Sequence, residues 1–364
     1  MKKIVFLFLI VSLVFFVSCG GDNKKENEKD GDENGVDNEA TDDETGNEEP
    51  NEDGKGEDED KDDDKEKEDG DDDKVETVPL KCEDFAEGMN SNLIVGDLER
   101  DFILKLPENV ETDGPWPVIF IWHGYGGSAS EAEKMLSGKI NNSEMPFILV
   151  APVARSDIFT FGIPPKGLDW DMINLADGSA EADMFDAVVG CIDEKWGVDE
   201  DHIHVTGFSA GAITASSIAL LRPEVVASAL TYSGAYFSDP ESREALGEIM
   251  NMKVGDFFSW PDMEEEHTKY THVLVSGEEG SDTWGTMGFT IDFNIMANFA
   301  TDYLNDLGHD IILCNHGSGH IVAGPSSDTM IKFFSDHPFG TEDSPYSEEL
   351  PDGYDTCEFK AKAD

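Results

Sequence analysis

Apolar residues recur along this chain in two rhythms. Arg100 to Pro107 alternates polar and apolar, which predicts a strand with one buried face. Pro117 to Trp122 and Phe147 to Pro152 are nearly unbroken apolar runs, the pattern of strands covered on both faces. His202 to Val205, Val226 to Ser233, Thr271 to Ser276 and Ile311 to Cys314 add four more strands. Between them the period lengthens. Met184, Phe185, Val188, Val189 and Ile192 predict a helix over 182–196. Further helices are predicted over 212–221, 293–307 and 329–334. Strands that alternate with helices predict an α/β fold, a mostly parallel sheet with helices on both faces. Ser238 to Tyr270 is long for a connection and reads as a lid or insertion.

The first 78 residues follow neither rhythm. Met1-Lys2-Lys3, an apolar or small run from Ile4 to Val17, and Ser18-Cys19-Gly20 describe an export signal over residues 1–18. The run is shorter than the ~20 residues that a spanning helix needs. Val17-Ser18-Cys19 resembles a bacterial lipobox, which implies a lipid-bearing Cys19 and anchorage at the cell envelope, on the outer membrane or cell surface, with plain secretion as the alternative. Residues 19–78 hold only Val36, Val75 and Val78 as larger apolar residues and carry roughly −20 charges, so they are expected to form an extended, disordered tether. Asp30 to Gly35 matches the first half of a calcium loop, but Thr41 stands where the closing Glu belongs. A solvated charge run is the expected reading. Residues 79–364 remain as one domain with an ample core.

The whole chain carries a net charge of −55, which argues against nucleic acid as a partner. Cys82, Cys191, Cys314 and Cys357 are an even set in an exported chain, so two disulfides are expected. A Cys82–Cys357 staple across the two ends of the domain is the preferred pairing. The spacing does not suggest a zinc site, and neither a metal nor an organic cofactor is expected.

The candidate chemistry centres on Gly207-Phe208-Ser209-Ala210-Gly211, a G-x-S-x-G between a predicted strand and a predicted helix. That is the context of a nucleophile elbow, whose glycines lack side chains that would meet the strand or the helix. A serine hydroxyl needs a base, and the base needs an orienting acid. His320, in the glycine-rich loop after the last parallel strand, is the candidate base, with His316 as the rival. Asp282, after the strand ending at Ser276, is the candidate acid, with Glu278 and Glu279 as rivals. The backbone N–H groups of Ala210 and Tyr125 are candidate oxyanion donors, the latter from His123-Gly124-Tyr125-Gly126-Gly127. His202, His204 and His337 read as packed or solvated. Trp170, Trp284 and the 238–270 segment are candidate walls of an apolar pocket.

Phe102 to Pro107, the HGYGG loop, Trp196-Gly197-Val198-Asp199 with the elbow, and Gly319-His320 followed by Phe333 to Pro338 resemble the polyhydroxybutyrate depolymerase and feruloyl esterase-like family of secreted α/β-hydrolases. The likeness spans roughly Cys82 to Cys357. It implies the α/β-hydrolase fold and serine esterase chemistry on polyester, feruloyl or acetyl-type substrates. A peptidase or thioesterase on the same residues, or an inactive surface-binding lipoprotein, are the alternatives.

Overall fold

The computed structural model describes residues 78–155, 169–249, 251–264, 266–286 and 289–363. The expected signal, Cys19, the half calcium loop and nearly all of the tether lie outside them.

The sheet has nine strands: β1 (Gly88–Val95), β2 (Leu98–Lys105), β3 (Trp116–Trp122), β4 (Ile148–Pro152), β5 (Val198–Phe208), β6 (Ser228–Tyr232), β7 (Thr271–Ser276), β8 (Ile311–Asn315) and β9 (Cys357–Lys360). Their spatial order is β1-β2-β4-β3-β5-β6-β7-β8-β9. The six strands from β4 to β8 pair in parallel; β1, β2 and β9 are antiparallel at the edges.

Burial explains the unbroken apolar runs. Along β3, Val118, Phe120 and Trp122 enter the core on one face, while Ile119 and Ile121 enter the core on the other. The first face is covered by α1 (Ala180–Trp196), α2 (Ala210–Leu221) and α3 (Phe293–Asp306). The second is covered by a short helix, Ala129–Glu133, and by α4 (Ser327–Asp336). Each long helix starts where a side chain can cap it. Ser179 accepts from Ala182 N, Asp292 from Asn294 and Ile295 N, and Ser326 from Thr329 N. Helix α2 is the exception: Ser209 precedes it without capping it. Its residues from 210 to 220 are all buried, as a helix apolar on every side requires.

One feature differs from expectation, and a second settles between two expected readings. The disulfides join Cys82 to Cys191 and Cys314 to Cys357, not Cys82 to Cys357. The reason is adjacency. The turn at 82–84 packs on α1, which carries Cys191, and Cys357 stands opposite Cys314 in the β8–β9 ladder. Segment 238–270 forms a helical turn, a small hairpin and a 3₁₀ turn. Leu246, Val254, Phe258, Trp260 and Met263 bury it against the domain, and Trp260 Nε1 donates to Met172 O at 2.7 Å. It is a packed insertion.

Candidate active site

Parallel strands deliver their carboxyl ends to one edge of the sheet, and four loops meet there. The first is the turn from β5 into α2. Ser209 sits in it at φ 56°, ψ −122°, a conformation that side chains avoid. Its N–H donates to Tyr232 O at 2.9 Å. The flanking glycines let the turn close. A Cβ on Gly207 would lie 2.5 Å from the Gly211 carbonyl carbon, and one on Gly211 would lie 2.5 Å from His123 O. The spacing of the motif is therefore a packing requirement between β5, α2 and the end of β3.

The second loop follows β7. Asp282 lies in it with no exposed surface, so its carboxylate must be satisfied by protein donors. Gly277 N donates to Oδ2 at 2.7 Å, and Ser233 Oγ lies 2.9 and 3.1 Å from the two oxygens. Glu278 and Glu279, the rival acids, are exposed.

The third loop follows β8 and carries His320. Its Nδ1 stands 2.7 Å from Asp282 Oδ1 and its Nε2 stands 2.9 Å from Ser209 Oγ. A carboxylate can only accept, so Nδ1 bears the proton and Nε2 accepts from the serine hydroxyl. Phe208 and Phe293 hold the ring from its sides, with centroids 4.8 and 4.7 Å away. Asp282 is wholly buried, whereas the His320 side chain keeps 21% of its surface open to the cleft. His316, the rival base, donates its backbone N–H to Ser276 O at the end of β7, and its Nδ1 accepts from Ser318 N in its own loop.

The loop after β3 brings Tyr125 to the same edge. It is fastened from below. Trp170 Nε1 donates to His123 O at 2.9 Å, Asp169 Oδ2 accepts from Gly126 N at 2.5 Å, and Gly127 N donates to Gly124 O at 2.9 Å. Among the described residues the Tyr125 N–H has no protein acceptor. The Ala210 N–H opens α2, where the partial positive charge of a helix start favours an anion. Beside Ala210 lies a pocket of about 490 Å³, open mouth included, walled by Met172, Ile213, Phe237, Phe258, Trp284 and Phe289. Trp284 is thus a pocket wall, as expected; Trp170 is fully buried beneath the HGYGG loop instead.

Burial holds His204, His272 and His337 neutral. His204 lies well below the usual imidazole range, and burial takes His272 to about 3 and His337 to about 4. His204 bonds to Ser228 and His337 to Ser344, so both are packing residues, as the sequence suggests.

Sequence reasoning passes over Ser233, Asp169, Phe237 and Phe289, whereas Phe258 belongs to the 238–270 segment expected to wall the pocket. Ser233 has no motif; its placement follows from a left-handed φ of 54° just after β6, which aims its hydroxyl across the sheet edge at Asp282. Asp169 adjoins a tryptophan, and that pair was the available signal.

No family model matches the chain. Feruloyl esterase D of Neurospora crassa is 26% identical over 141 residues, which is 38% of this chain and 47% of that protein. A probable feruloyl esterase C of Aspergillus terreus is 27% identical over 139 residues, 38% of this chain and 48% of that protein. The chain thus spans about half the length of the curated relatives it matches. The solved structure of native pOPH superposes with a TM-score of 0.60 at 16% identity, over 78% of this chain and 97% of that one. The chain has the α/β-hydrolase fold, and it is similar to the polyhydroxybutyrate depolymerase and feruloyl esterase-like family that its motifs resemble.

Proposed function

We propose that the chain is a serine carboxylesterase whose catalytic residues are Ser209, His320 and Asp282. The observation that carries this reading is the unbroken line from Asp282 through His320 to Ser209 Oγ, 2.7 and 2.9 Å, beside the uncapped N–H of Ala210. His320 Nε2 takes the hydroxyl proton as Ser209 Oγ bonds to the ester carbonyl carbon. Asp282 accepts from Nδ1 and stabilises the imidazolium. The carbonyl oxygen, now an oxyanion, accepts from the N–H groups of Ala210 and Tyr125, each worth about 3–4 kcal/mol in the barrier. His320 returns the proton to the departing alcohol. Water then adds to the acyl-enzyme by the same route and releases the acid.

The likeness to feruloyl esterases and the apolar walls beside Ala210 support an acyl ester with an apolar acyl group. Residues 1–18 act as a signal, 19–78 as a tether from a lipid-bearing Cys19, and 79–364 as the catalytic domain. The two disulfides suit an exported chain.

A fluorophosphonate probe tests the reading directly. It labels Ser209, identified by peptide mass, and Ser209→Ala removes both labelling and turnover of a short aryl ester. Normal turnover by Ser209→Ala overturns the assignment. Matched esters, thioesters and amides then separate an esterase from a thioesterase or peptidase.

A further inference from the structure

A second convergence of side chains lies away from Ser209. His309, just before β8, is wholly buried; Met263 is buried, and His267 is half-buried above them. His267 Nε2 stands 2.6 Å from His309 Nε2, and His309 Nε2 stands 3.2 Å from Met263 Sδ. The two rings are within 22° of parallel with centroids 4.8 Å apart, so the two nitrogens face one another edge to edge.

Proton placement makes this contact informative. His267 Nδ1 is in close contact with Glu264 O. A carbonyl only accepts, so Nδ1 carries the proton and Nε2 offers its lone pair, with the Lys269 ammonium 3.4 Å away. His309 Nδ1 lies 3.0 Å from Tyr270 O. When it donates there, His309 Nε2 also offers a lone pair, and two nitrogen lone pairs and a thioether sulfur point into one space. Such a set favours a cation between its lone pairs, a place that the Lys269 ammonium approaches only to 3.4 Å of His267. In the other tautomer His309 Nδ1 accepts from Tyr270 N, 3.2 Å away, and Nε2–H bonds to His267. The site thus switches from hydrogen-bonded to metal-ready by one tautomeric change.

The donor set selects the ion. Two imidazoles and a thioether, with no carboxylate among them, suit a soft ion of low coordination number. Among the described residues no group of three His, Cys, Asp or Glu could hold a metal, so a harder divalent ion finds no complete shell. Access is open. Met263 and His267 line a surface groove whose rim carries the exposed carboxylates of Glu224, Asp262, Glu264 and Glu266, which attract cations. Lys269 Nζ stands 3.4 Å from both His267 nitrogens and would turn toward that rim.

We propose that His267, His309 and Met263 form a site for a soft monovalent cation, Cu(I) or Ag(I), the histidines nearly in line and the sulfur to one side. The ion would tie the 238–270 insertion to the start of β8. His267, on the more exposed side, makes the room.

The test is an anaerobic titration of the full chain with Cu(I) against a chromophoric Cu(I) chelator. One ion per chain is expected, with nitrogen and sulfur neighbours in its X-ray absorption spectrum. Met263→Leu weakens binding at least ~10-fold and His267→Asn ~100-fold. His267→Asn is half-buried, so circular dichroism matching the parent separates a lost ligand from a lost fold. Failure of the parent to compete, wild-type affinity in His267→Asn, or Zn(II) binding as tight as Cu(I) overturns the proposal. Esterase turnover plays no part in the readout.

Discussion

The turn that carries Ser209 and the turn that carries Asp282 both hold a functional group still at the carboxyl edge of the sheet, and they do so by opposite means. The first is fixed by backbone contacts. Its glycines bring β5, α2 and the end of β3 so close that a methyl group has nowhere to go. The second is fixed by donated protons. Gly277 N, Ser233 Oγ and His320 Nδ1 converge on one buried carboxylate. Steric fixation is shared with the core, so disturbing it should cost stability. Polar fixation is local, so disturbing it should cost activity while the fold persists.

Gly211→Ala is the harshest way to break that contrast. The added Cβ would lie 2.5 Å from both His123 O and the Trp122 carbonyl carbon. Neither atom belongs to a flexible side chain, so α2 must move off β3. Overpacking of that kind costs about 3 kcal/mol. Urea unfolding should show a large drop in midpoint with an unchanged slope. A variant as stable as the parent would mean that the elbow is not locked by backbone contact.

Ser233→Ala probes the other mode. It removes one donor from Asp282 and leaves the other two. A hydrogen bond to a charged group is worth about 1.5–3 kcal/mol, but Asp282 is already held twice more, so we expect about a tenfold fall in kcat with KM unchanged. The urea midpoint should move little. The far-downfield proton of the His320–Asp282 hydrogen bond, seen by NMR, should shift. A rise in KM with the proton unmoved would mean that Ser233 serves substrate binding and not the acid.

The same contrast explains what could be read from the chain beforehand. Gly207 and Gly211 leave a trace because a steric requirement is written as a missing side chain at a fixed spacing. His320 was legible because only one histidine follows a Gly-x-Gly after a late strand. Asp282 stood among Glu278 and Glu279, and what distinguishes it, burial beside Ser233, comes from a residue 49 positions away. Two disulfides are present as the cysteine count implies, but their pairing is illegible for a related reason. The preferred pairing joined sequence ends, whereas Cys314 and Cys357 are neighbours only through the β8–β9 register, and β9 is a short edge strand that its sequence scarcely announces. Strand β1 escaped likewise, since its apolar positions are few and interrupted by Asn90 and Asn92. The nine-strand order itself follows from alternation of strands and helices only in part; which strand lies beside which is decided by packing across the sheet.

The finest comparison lies within the elbow itself. Ser209 occupies φ 56°, ψ −122°, where any Cβ is strained, at a cost of about 1–3 kcal/mol. Ser209→Ala and Ser209→Gly both delete the hydroxyl and its bond to His320. They differ in whether the Cβ remains. Glycine releases the strain but adds up to about 1 kcal/mol of chain entropy to the unfolded state, so a net gain near 1 kcal/mol should survive. We therefore expect Ser209→Gly to unfold at a higher urea concentration than Ser209→Ala, with both silent toward the fluorophosphonate probe. Equal midpoints would mean that the turn relaxes once its hydroxyl is gone. In that case the strain at residue 209 would be held by the hydrogen bond to His320, and the two turns would share one mode of fixation after all.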